Sequence, residues 1–138
     1  MTRRESREHI FKMLFCQDFY EMDEWREQAQ MYLDDLETEE GQILLTEEEK
    51  APLLAKAIAV CEKSQELDAK IDQAAEGWKT KRMGKVDVTV LRLALYEMEY
   101  DDQVPTKVAI NEAVEIAKKF GGDESPSFVN GVLARLVD

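Results

Sequence analysis

Between Lys107 and Leu136 the apolar residues recur with the period of a helix, and that periodicity bounds the fold more tightly than any other feature of the chain. Ala109, Ala113, Ile116, Ala117 and Phe120 fall at i, i+4, i+7, i+8 and i+11, along one face of a 3.6-residue repeat. Phe128, Val129, Val132, Leu133, Leu136 and Val137 repeat the pattern as a wider stripe. Two helices follow, each with a side to bury. Between them Gly121-Gly122 is expected to take positive φ past a helix end, and Ser125-Pro126 to supply an N-cap hydroxyl followed by a proline at the first helical position. Lys118 and Lys119 ahead of this corner, with Asp123 and Glu124 after it, suit the dipoles of both helices.

The remaining segments show the same period. Ile10, Phe11, Leu14, Phe15 and Phe19 predict a first helix from Arg3 to about Met22, uninterrupted by glycine or proline. Trp25, Ala29, Tyr32, Leu33 and Leu36 predict a second, acidic helix ending near Gly41. A third is expected from about Glu49, with Pro52 near its first turn and Thr46 and Glu49 at capping-box spacing. Leu67, Ile71, Ala74, Ala75 and Trp78 mark a fourth that stops near Gly77 or Trp78. The basic, glycine-bearing stretch WKTKRMGK then reads as a joint. Its Lys79, Lys81, Arg82 and Lys85 form either a solvated loop or a set of phosphate contacts.

From Val86 to Tyr100 the chain is apolar over most of a helical circumference, which places that helix in the middle of a bundle. Arg92 within it must find a carboxylate or reach an edge, because an unpaired buried guanidinium is too costly. Gly131 sits inside the last helix, where glycine costs about 1 kcal/mol relative to alanine, so a close backbone approach is expected there. No segment sustains a two-residue alternation. The predicted fold is all-α: one domain, residues 1–138, built as a bundle of about seven helices in two packed subdomains, the first over about residues 1–78 and the second over about 86–138.

Composition narrows the function. The net charge of −12 argues against a nucleic-acid binder until its distribution is considered. Glu21 to Lys50 holds twelve acids against Arg26 and Lys50, which leaves the rest of the chain near neutral with basic clusters at Arg3-Arg4-Arg7 and Lys79-Lys81-Arg82-Lys85. An anion-binding surface therefore has room away from the acidic segment. No apolar run approaches the roughly 20 residues of a membrane span, and Glu5, Glu8 and Lys12 spoil a signal peptide, so a cytoplasmic protein is expected. Cys16 and Cys61 stand apart as free thiols, and the single His9 has no partner at metal-ligand spacing. No phosphate-binding loop, dinucleotide fingerprint, nucleophile elbow or zinc-protease motif occurs. No catalytic residue, metal or cofactor is predicted.

The segments LRLALYEMEY (91–100), VPTKVAINEAVEIAKKFGGDESPSFVNGVL (104–133) and RRESREHIFKMLF (3–15) together resemble the transcription antitermination factor NusB family, and the likeness extends more loosely over the whole chain. The resemblance implies an all-helical, non-enzymatic RNA-binding protein. Such proteins pair with NusE, a small-subunit ribosomal protein, bind boxA-type single-stranded RNA in nascent ribosomal transcripts, and help the RNA polymerase antitermination complex read through terminators. It implies that Arg3, Arg4 and Arg7 contact RNA phosphates, with Glu5 interrupting the run, and that Glu124 and Phe128 lie near the RNA path. Phe128 fits two readings, a base-stacking ring or a core residue. Phe15 and Asp87 would face NusE, with Arg92 either bracing that side or serving the core. The resemblance also allows self-association into a homodimer.

On the same reading the first turn of the first helix and the bend before Phe128 are expected to share one RNA-binding surface, and the acid excess to favour a basic partner. A protein–protein adaptor that keeps the fold without binding RNA is the competing reading. The RNA-binding appendage of an rRNA methyltransferase shares the fold, but with the sequence stopping at Asp138 no catalytic domain is expected.

Overall fold

The structure, a computed structural model, describes residues 1–36, 45–77 and 79–137. Among the described residues there are seven α-helices and no strand. No helix there is long and apolar enough to cross a membrane. The chain divides into two compact units, Met1–Cys61 and Glu62–Asp138.

In the first unit α1 spans Arg3–Leu14, and its first turn is closed by Thr2, whose hydroxyl oxygen accepts the Glu5 backbone N–H at 3.0 Å. The helix ends at Leu14 and not near Met22. The carbonyl of Met13, which would accept the N–H of residue 17 in a longer helix, is taken by the buried indole N–H of Trp25 at 2.8 Å. A 3₁₀ turn over Gln17–Phe19 follows, and α2 runs over Met22–Asp34 with Trp25, Ala29 and Leu33 buried. It stops short of Gly41, which lies outside the described residues. His9 and Tyr32 tie α1 to α2 through an Nδ1–hydroxyl hydrogen bond of 2.9 Å. Burial, aided by the charge of Lys12, holds the His9 imidazole below its ordinary pKa.

The Thr46–Glu49 capping box is present, with Glu49 accepting the Thr46 N–H at 3.0 Å and Thr46 accepting the Glu49 N–H at 3.2 Å. It starts α3 (Glu47–Glu62) two residues earlier than expected and leaves Pro52 inside the helix. Leu53, Ala57 and Val60 form its buried stripe.

The second unit begins with α4 (Ser64–Ala74), which buries Leu67 and Ile71. The chain then turns through Glu76 and Gly77 at φ of 42° and 92°. The second angle is one that glycine adopts without strain. Trp78 lies outside the described residues. Lys79–Lys85 holds a short 3₁₀ turn, Thr80–Arg82, anchored to α4 by the Thr80 N–H on Asp72 at 2.7 Å.

The compact units thus divide ahead of α4 instead of at this basic stretch. The polar partners of α4 explain why. Asp68 holds Arg92 of α5 (Lys85–Tyr100) by two hydrogen bonds of 2.7 and 2.8 Å. Lys70 pairs with Glu99 at 2.6 Å, and the Tyr100 hydroxyl donates to Glu66. Arg135 donates to the Ala74 carbonyl at 3.1 Å, closing the C-terminal end of α4.

Helix α5 is central to its unit, packing on α4, α6 (Thr106–Phe120) and α7 (Ser125–Leu136), and eight consecutive residues from Val88 to Leu95 are buried. Arg92 has found the carboxylate that burial demands. Ala109, Ala113, Ile116 and Ala117 bury the face of α6; Val129, Val132 and Leu133 bury that of α7. Val137 is 45% exposed, so the final stripe ends before it.

The corner between α6 and α7 departs from its expected chemistry in two ways. Gly121 is extended (φ −97°, ψ −176°) and Gly122 does not take positive φ either. Glycine is needed at 121 for space, because a Cβ there would sit 2.6 Å from Ser125 Oγ and 2.8 Å from the Ala117 carbonyl. Ser125 is the first residue of α7 and no N-cap; its hydroxyl accepts the Gly122 N–H at 3.2 Å.

Candidate nucleic-acid interface

The first unit carries the cationic and aromatic groups at opposite ends of α1. Arg3 and Arg4 are exposed in its first turn, next to exposed Glu5, whereas Arg7 is only 6% exposed. Two of the three arginines are therefore exposed, and the third is buried one turn further on. Twelve residues of α-helix span about 18 Å, so Phe15, just past the far end of α1, belongs to a separate surface. Phe15 and Tyr20 are each 38% exposed and Phe19 is 69% exposed, although the sequence stripe had directed both phenylalanines inward. Phe19 lies beyond the early stop of α1, in the 3₁₀ turn, whereas Phe15 keeps helical backbone angles and sets its ring 5.9 Å from that of Phe11. Cys16, next to Phe15 in the chain, donates its thiol to the Met13 carbonyl, and burial pushes its pKa up.

In the second unit, Phe128 is half-buried and forms a wall common to two hollows. The larger, about 530 Å³, brings together Arg82 from the 3₁₀ turn, Asp87 from the first turn of α5, and Asp123 and Glu124 from the α6–α7 corner. Asp87 Oδ1 is buried without a hydrogen-bond partner among the described residues. With three carboxylates against one guanidinium, this hollow favours a cationic or hydrogen-bond-donating visitor. The smaller, about 300 Å³, is lined by Glu76, Ser127, Gly131, Val132 and Arg135, and its charged groups balance.

Of the residues singled out in the sequence, Glu124, Phe128 and Asp87 therefore meet in one hollow, even though Asp87 is expected to face a protein partner and the other two an RNA. Arg92 does not join them; it is engaged with Asp68 inside the unit. Arg3, Arg4, Arg7 and Phe15 belong to the first unit. The sequence reading left Arg82 undecided and passed over Arg135. A basic side chain spaced 46 or seven residues from Phe128 shares its surroundings only once α4, α5 and α7 are packed. The close approach expected at Gly131 is absent: a Cβ built there meets nothing within 4 Å. No group of three or more metal-ligating side chains occurs among the described residues.

Comparison with known proteins places this arrangement in context. The NusB family matches residues 4–138. The transcription antitermination protein NusB of Lachnoclostridium phytofermentans is 50% identical over 138 residues, covering all of both chains. That of Agathobacter rectalis is 50% identical over 135 residues, 98% of each chain. Among solved structures, T. maritima NusB superposes with a TM-score of 0.84 at 31% identity, over 99% of this chain and 90% of that one. A chain from the crystal structure of a plectonemic RNA supercoil shares the fold, with a TM-score of 0.78 at 21% identity over 96% of this chain and 91% of the other. The chain belongs to the NusB family, a non-enzymatic family of transcription antitermination proteins.

Proposed function

We propose that this protein, paired with NusE, binds boxA-type single-stranded RNA in nascent ribosomal transcripts and promotes read-through by RNA polymerase. The observation that carries the reading is identity at half of all positions, over the full length, to a transcription antitermination protein. The surface chemistry supports it. Exposed Arg3 and Arg4 supply sequence-independent phosphate contacts. A half-buried phenylalanine at the edge of a hollow offers a face on which an unpaired base stacks. Arg7 lies buried one turn further on, and Glu124 at the corner limits how closely a phosphate approaches Phe128.

The partner's contribution follows from charge. NusE, a basic ribosomal protein on this reading, meets an acidic chain, with exposed Phe15 as an apolar anchor and Asp87 as a carboxylate for a basic side chain. Arg92 acts at one remove, by holding α5 against α4. The test is a gel-shift with boxA-like and scrambled RNA, with and without NusE, at two salt concentrations. The proposal predicts preferential binding of the boxA-like RNA, strengthened by NusE and weakened by salt. A chain that binds NusE but gives no RNA shift in any lane would be an adaptor, and the proposal would fall.

A further inference from the structure

Gly131 is a helical glycine that the fold does not require. Within a helix, glycine costs about 1 kcal/mol relative to alanine; here no neighbour lies within 4 Å of where a Cβ would project, and its φ is not positive. Neither packing nor backbone geometry explains the residue. Its position does: it lines the smaller hollow, whose other walls include the ring of Phe128 and the guanidinium of Arg135. Any side chain at 131 would grow into that space.

The two hollows beside Phe128 differ in charge, and the difference decides which suits an anionic ligand. In the larger, Asp87, Asp123 and Glu124 outnumber Arg82 and repel phosphate. In the smaller, Arg135 is balanced by Glu76 alone, 3.6 Å away, with side chains 50% and 72% exposed respectively. So open an ion pair is weak, and although the guanidinium also donates to the Ala74 carbonyl, its five N–H groups leave donors for a further acceptor. We infer that the smaller hollow is a nucleotide seat: one base of the bound RNA stacks on Phe128 over the bare backbone of Gly131, with its phosphate at Arg135. This rests on the RNA-binding reading above and adds a specific site to it.

The test keeps every charge in place and fills only the space. Gly131→Ala and Gly131→Leu are compared with the unchanged protein, each with NusE, by fluorescence anisotropy with labelled boxA-like RNA over a salt series, alongside thermal unfolding. Both substitutions favour the helix, so melting temperatures should stay level or rise. Gly131→Leu is expected to weaken RNA binding by roughly five- to 150-fold, the range a lost base–aromatic stack covers, with Gly131→Ala intermediate and the salt slope for Gly131→Leu shallower by about one, because displacing the nucleotide also takes its phosphate from Arg135. Unaltered affinity for Gly131→Leu, with the unchanged protein binding RNA normally, would overturn the seat and leave the RNA-binding reading standing. Absence of RNA binding by the unchanged protein would overturn both. A fall in melting temperature that accounts for the lost affinity would overturn the claim that the glycine is dispensable to the fold.

Discussion

Replacing Asp68 by alanine should be the most damaging single change on the face of α4. Arg92 has a side chain 8% exposed and donates to both Asp68 oxygens, while the Asp68 side chain is 24% exposed. Removing one partner of a buried ion pair costs about 3–5 kcal/mol, because the remaining charge loses its compensation in a medium that solvates it poorly. The partial exposure of Asp68 admits some water, so the expected loss lies at the lower end, about 3 kcal/mol. Against a typical total of about 5–15 kcal/mol that is a large fraction. Urea unfolding of Asp68→Ala, with the slope checked for two-state behaviour, reads the loss directly. Adding Arg92→Met should recover part of it, since the double variant no longer buries a guanidinium that has lost its Asp68 carboxylate. A loss below about 1 kcal/mol, the range of exposed pairs, would refute the argument that this pair holds α4 to the second unit.

Three further outcomes test the packing. Gly121→Ala should destabilise by about 1–3 kcal/mol, the usual cost of overpacking, because the new methyl overlaps Ser125 and the Ala117 carbonyl; Gly131→Ala should stabilise by about 1 kcal/mol. Equal effects in chemical denaturation would contradict the two different reasons given for these glycines. Trp25→Phe keeps a ring but leaves the Met13 carbonyl without its indole donor, with an expected loss of about 1–3 kcal/mol by urea unfolding. Stability should also fall as pH drops through the ordinary histidine value of 6.5. The His9 pKa is depressed in the folded state, so the unfolded chain takes up the proton first, and the loss levels off once the folded imidazole is protonated too. His9→Gln should flatten that part of the profile.

What the sequence made legible was local. Residues Val88 to Leu95 carry their own signature of a buried helix, and the Thr46–Glu49 box marks a helix start with chemistry confined to four residues. The larger misreadings arise where a distant group intervenes. Nothing near Leu14 ends a helix; the terminator is an indole donated from α2. The glycine-bearing basic stretch looks like a boundary, but α4 ahead of it is bound to α5 by Asp68, Lys70 and Glu66, whose partners are 24 or more residues away. Gly121 was recognisable as a special position, yet its reason is steric rather than torsional. The site followed the same rule. Phe128, Glu124 and Asp87 were each legible as chemistry, but their meeting in one hollow depends on how α5 and α7 pack. The openness at Gly131 cannot be read from any window of residues.

The most direct measurement is the salt dependence of boxA-like RNA binding, with NusE present, by the unchanged protein and by Arg3→Ala/Arg4→Ala, which removes the two exposed arginines and leaves buried Arg7 in place. Loss of affinity together with a salt slope shallower by roughly one to two, about one for each phosphate contact removed, is the result expected if the first turn of α1 meets the RNA backbone. An unchanged affinity and an unchanged slope would show that it does not.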